Sequence, residues 1–115
     1  MSRQQYAEVL EDDFGEARER ERNALEQSIA IFHRAESQGA SAQDRIEAIL
    51  FANKLWSVMV EDLANPENSL PHQLRAQIVS IGIWVLRETE ALRSDPARSF
   101  ADIVAVSEAI RDGLL

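Results

Sequence analysis

The chain of 115 residues contains no cysteine, which excludes disulfides, thiolate metal sites and thiol redox switching and fits a reducing compartment. Glycine and proline are scarce, with four and three residues, so little stands in the way of long helices. Basic residues are outnumbered, 12 Lys and Arg against 20 Asp and Glu, for a formal net charge of −8. Nucleic acid demands Lys and Arg around its phosphates, and an anionic membrane surface demands a similar basic patch. The nearest approach to one, Arg18, Arg20 and Arg22, is interleaved with Glu16, Glu19 and Glu21. Direct RNA or DNA contact and membrane-surface binding are therefore both disfavoured. The longest apolar run, Ile78 to Leu86, is interrupted by Ser80 and Gly82 and is about half the ~20 residues needed to span a bilayer. The opening MSRQQYAEVL leads into acidic residues, unlike the basic-then-apolar pattern of a secretory signal. The expectation is a soluble, cytoplasmic protein.

What is present points to a single globular domain. The length matches one domain, large enough to bury roughly two-thirds of its unfolded surface. Hydrophobic residues make up 45% of the chain and charged residues 28%, an ordinary globular balance. No stretch alternates apolar and polar residues with the period of two that a strand requires. Three pairs carry capping-box spacing, in which two side chains satisfy the free N–H groups at a helix start: Asp13 with Glu16, Ser41 with Asp44, and Ser99 with Asp102. Gly39 suits a helix stop, and Asn65-Pro66 and Asp95-Pro96 impose two more. The spacing predicts helices over about 15–38, 42–64, 70–93 and 100–112, with Pro71 tolerated in the first turn of the third. Short loops between them favour an all-α antiparallel bundle of about four helices in one domain, 15–115. Residues 1–14 form an N-terminal arm or a short extra helix, with Tyr6, Leu10 and Phe14 spaced to share one helical face.

Catalytic and metal chemistry find little to work with. His33 and His72 have no nucleophile or acid partner nearby in the sequence and read as surface histidines. The acidic groups Glu11-Asp12-Asp13, Glu61-Asp62 and Glu88/Glu90 read as solvated or helix-terminal carboxylates. A carboxylate-bridged metal bundle would need Glu-x-x-His motifs, and the chain has none. A phosphate-binding glycine loop, a Gly-x-Ser-x-Gly elbow and a His-Glu-x-x-His motif are all missing. The expectation is a protein without catalytic activity, metal or cofactor.

The informative feature is a surplus of apolar residues on the two middle helices, from Ile49 to Val60 and from Ile78 to Leu86. A surface helix needs one apolar stripe a little over 100° wide, and both runs exceed it. Either these helices are the buried centre of the bundle, or part of their surface is committed to another chain. Both readings stand at this stage. Leu55, Trp56, Met59, Ile83 and Trp84 are the candidate partner-binding residues, because Trp is enriched at interface hot spots and Met adapts to varied partners. The arm residues Tyr6, Leu10 and Phe14 would fill the resulting groove when no partner is present. Ala76, Ser80 and Gly82 would let another helix approach closely.

Several segments taken together resemble one known family: YAEVLED from Tyr6 to Asp12, ARERERNAL from Ala17 to Leu25, Leu55-Trp56 with Glu61-Asp62-Leu63, LPHQLRAQIVSIGIWVLRE from Leu70 to Glu88, and FADIVAVSEAIRDGL from Phe100 to Leu114. In order and spacing they are similar to the FlaF family of flagellar biosynthesis proteins of alpha-proteobacteria. The resemblance implies a role in flagellin synthesis, export and flagellum assembly, as a chaperone that binds a helical segment of flagellin. It also implies an alternative, a regulator of flagellin expression acting through protein partners and linked to a FlbT-type regulator. Self-association is left open.

Overall fold

The computed structural model describes the backbone of residues 3–113 and the side chains of residues 15–113. It contains four helices: α1 (Arg3–Glu36), α2 (Ala42–Ala64), α3 (His72–Ser94) and α4 (Ala101–Gly113). No strand occurs among the described residues, and the architecture is the all-α bundle expected.

The helix boundaries follow local chemistry. At the start of α2, Ser41 Oγ accepts from the Asp44 amide at 3.1 Å, and the Ser41 amide donates to Asp44 Oδ2 at 2.8 Å, the reciprocal pattern of a capping box. Those bonds hold the Asp44 carboxyl below its usual range, the backbone bond from Ser41 contributing most. Gly39 adopts φ +89° in the turn after α1, a left-handed conformation that L side chains rarely take. α2 stops at Ala64, because proline disfavours helix in the residue before it, here Asn65. Pro71 stands just outside α3 as its N-cap and not in the first turn. Ser99 Oγ accepts from the Ala101 amide at 3.0 Å, a shorter-range cap than the expected box with Asp102.

One boundary departs from expectation. A helix start near Gly15 gives way to a helix already under way at Arg3, and α1 runs unbroken across Gly15 for 34 residues. The Asp13/Glu16 pair therefore lies inside a helix and caps nothing. A mid-helix glycine costs only about 1 kcal/mol, and the four-residue spacing of Tyr6, Leu10 and Phe14 keeps the helical phase through the junction. The side chains of those three residues lie outside the described set.

At 1.5 Å per residue α1 is about 51 Å long and α2 and α3 about 35 Å each. The molecule measures 57 × 24 × 18 Å, so α1 sets the long axis. The chain runs up and down. α2 packs on both α1 and α3, and α4 returns along α1. Leu25, Ile29 and Phe32 of α1 meet Ala48, Ala52 and Trp56 of α2, Val85 and Leu92 of α3, Phe100 just before α4, and Ile103 of α4 in one core. Phe32 and Phe100 stack with ring centroids 4.8 Å apart and planes tilted by 53°.

Arginines sew α2 and α3 together at both ends. Arg45, in the first turn of α2, directs Nη2 to the carbonyls of Leu92, Asp95 and Arg98 at 3.0–3.1 Å. Its guanidinium also sits 4.5 Å from the centroid of Phe100. Arg75, in the first turn of α3, directs Nη1 to the carbonyls of Leu63 and Asn65 at 3.4 and 2.8 Å. Each arginine thus occupies carbonyls that the neighbouring helix leaves open at its C-terminus. A third link joins α3 to the α3–α4 loop, where Arg98 grips both oxygens of the buried Glu88 at 3.1 and 2.8 Å. That fork raises the Arg98 pKa, the hydrogen bond with Glu88 being the main cause.

Candidate partner-binding surface

The α2–α3 register is fixed by three contacts. Arg45 reaches the end of α3, Asn53 Nδ2 donates to Thr89 Oγ1 at 2.9 Å, and Gly82 lies against Val60 and Trp56. A Cβ built at Gly82 would come within 2.5 Å of Val60 Cγ2 and 3.4 Å of Trp56 Cε3. The small residue is thus needed for the helices to approach. This register places Leu50 level with Leu92, and Ile83 level with Val60.

The candidate residues divide. Trp56 is fully buried and Met59 almost so, so both belong to the core; Trp56 offers no surface to a partner, and Met59 only the little that lines a groove between α1 and α2. The reason is their phase: Ile49, Ala52, Trp56, Met59 and Leu63 repeat at three- and four-residue steps, the stripe that faces the bundle interior. The indole Nε1 of Trp56 finds no hydrogen-bond partner among the described residues. Leu55 is half-buried and packs against the core edge. Ile83 and Trp84 are exposed, at 42% and 39%. As sequence neighbours on a helix they point about 100° apart, so they cannot serve one flat site together. Ile83 shares its flank of α3 with Leu86 and Glu90, and Trp84 lies on another flank.

Four large apolar residues outside the expected set, Ile46, Leu50, Val58 and Leu74, are as exposed as these, and two of them, both on α2, share a groove. Ile46 and Leu50 on α2 show 48% and 54% of their surface. They line a groove of about 440 Å³ between the start of α2 and the end of α3, together with Ile49, Leu92, Pro96, Arg45 and Arg93. Ile83 lies on the same α2–α3 face, roughly 14 Å farther along the helix axes by rise per residue. The signal for Ile46 and Leu50 was in the sequence. They are four residues apart and out of phase with the core stripe, so they must face outward. Of the two arginines beside this groove, Arg45 is engaged with backbone carbonyls. Arg93 pairs with Glu90 at 3.2 Å on the exposed surface, a pairing of little energetic weight.

Two further grooves lie at the other end of the bundle. One, of about 410 Å³, is lined by Leu70, Leu74, Ile78 and Ile81 of the α3 region, Ile110 of α4 and Arg18 of α1. The other, of about 360 Å³, lies between α1 and α2 and includes Glu21, Leu55, Val58 and Asp62. The Glu21 carboxyl there is pushed up from its usual pKa by burial first and by the Asp62 charge second, with Arg18 and Arg20 opposing. His33 and His72 are exposed. Among the described residues no group of three or more His, Asp or Glu is placed to hold a metal ion, and no helix is long and apolar enough to cross a membrane.

Comparison with protein families gives a match to flagellar protein FlaF over residues 2–114. The chain belongs to the FlaF family. No curated protein and no solved structure gave a match. The family match covers nearly the whole chain, so all four helices and both ends of the α2–α3 face belong to the family's domain.

Proposed function

We propose that this FlaF-family chain is a cytoplasmic, non-catalytic chaperone that holds an amphipathic helical segment of flagellin before export. The observation that carries the reading is the outward face of α2 and α3. Ile46, Leu50 and Ile83 are large, apolar and exposed there, on helices sewn into a rigid pair by Arg45 and Arg75. Helix-in-groove recognition needs such a surface, with apolar anchors spaced along a groove and a scaffold that does not yield. A guest helix of three turns would cover the roughly 14 Å between Leu50 and Ile83. The net charge of −8 favours a protein guest over RNA, because phosphate binding calls for a surplus of Lys and Arg.

Titration calorimetry with purified flagellin and its terminal fragments tests the reading. Binding of at least one helical fragment is expected, and raising the salt should barely weaken it, since apolar contact releases no counterions. A lack of heat and of co-elution with every fragment would sink the chaperone reading.

A further inference from the structure

α1 is two segments of opposite character. From Leu25 to Phe32 it is anchored by Leu25, Ile29 and Phe32, all buried. From Gly15 to Ala24 it presents only alanines and charged or polar side chains, yet it passes between two apolar grooves. Arg18 lines the groove of Leu74, Ile78, Ile81 and Ile110, and Ala17, Arg20, Glu21 and Ala24 line the groove of Leu55 and Val58. Val58 stays 56% exposed beside it. A charge-rich stretch therefore covers an apolar end of the bundle that it does not complement.

No side-chain hydrogen bond or ion pair from α1 to another helix, among the described residues, compensates for that mismatch. The polar links between elements join α2, α3 and the α3–α4 loop. Glu21 faces Asp62 across the α1–α2 contact, an unfavourable pairing of like charges that adds to the cost of its burial. Farther along α1, the buried Ser28 hydroxyl has no partner among the described residues.

We propose that Gly15–Ala24 is a displaceable strap, which peels from the bundle while Leu25–Phe32 stays seated and so joins the two grooves into one apolar cleft, a second seat for the flagellin guest besides the Ile46–Leu50–Ile83 face. The identity of the guest rests on the reading above, whereas the opening is a property of this chain alone. The cleft would run from Val58 on α2, under the strap, to Ile81 on α3 and Ile110 on α4. A guest helix with an apolar stripe would satisfy these residues where Arg18, Arg20 and Glu21 do not.

Hydrogen exchange on the intact chain, followed by titration with a flagellin fragment, tests the proposal. Amides of 18–24 should exchange about tenfold or more faster than those of 28–34, through a local opening that leaves α2 and α3 protected. Glu21→Leu, which gives the strap an apolar contact, should slow exchange at 18–24 selectively and weaken fragment binding by about the same factor. Equal protection along 18–34 would overturn the strap. Slower exchange in Glu21→Leu with unchanged binding would overturn its role as a gate. Fast exchange at 18–24 with no binding by either protein would support the opening and count instead against flagellin as the guest.

Discussion

At the scale of single residues, burial decides which aromatic matters for what. Trp56 fills the centre of the bundle, and Trp56→Ala should cost about 3–5 kcal/mol through lost burial and the cavity left behind. Trp56→Phe should cost much less, because the indole N–H it removes has no partner among the described residues. Urea denaturation of the two variants gives the comparison. Gly82 offers a paired test. Gly82→Ala gains about 1 kcal/mol of helix propensity but drives a methyl into Val60, where overpacking costs about 1–3 kcal/mol. The single variant should be less stable than the parent. Adding Val60→Ala should recover part of the loss from the clash, seen as a coupling energy in the double-mutant cycle.

Titratable residues add a pH signature of known sign. The Asp44 carboxyl, held low by the Ser41 cap, contributes stability that is present above the unfolded value of 3.8 and lost as pH falls through its lower folded value. Glu21 acts in the opposite sense. Its folded pKa is raised above 4.5, mainly by burial and next by Asp62, so its ionisation weakens the fold as pH rises from 4.5 through the raised value. Glu21→Gln should therefore raise the melting temperature at pH 7 and make little difference at pH 4. Asp44→Asn should lower it at pH 7, and the effect should shrink as pH falls below 3.8.

At the scale of helices, the sequence is most legible where the backbone chemistry is local. α2 begins and ends where expected because Ser41, Asp44 and Asn65-Pro66 act on their immediate neighbours. The start of α1 is not legible in this way, because Asp13 and Glu16 have capping spacing inside a helix that begins at Arg3, and spacing alone cannot tell a helix end from a helix interior. The site was legible only in part. A surplus of apolar residues on α2 and α3 was apparent, but which of them face outward depends on where α1 and α4 settle. Trp56 and Met59 turned inward with the core stripe, while Ile83 stayed outside. Arg45 and Arg75 gave no sequence signal, since their carbonyl partners become neighbours only when the two helices pair. Arg75→Ala should expose that dependence by raising exchange at the end of α2 and the start of α3 before it affects α4.

At the scale of the molecule, the family match spans all four helices, and large apolar side chains stay exposed on α2 and α3. In the proposed reading, the exposed apolar residues of α2 and α3 are the anchors, and the charge-rich start of α1 is a poorly matched cover at the other end. The most direct measurement of the central claim is calorimetric titration of a flagellin fragment against the Leu50→Asp/Ile83→Asp variant. Both side chains are exposed, with 54% and 42% of their surface accessible, so the variant should keep its helicity and melt within a few degrees of the parent. The account predicts that its affinity falls by about tenfold or more, as expected when apolar anchors are replaced by charge. A folded variant that binds every fragment as tightly as the parent would contradict it.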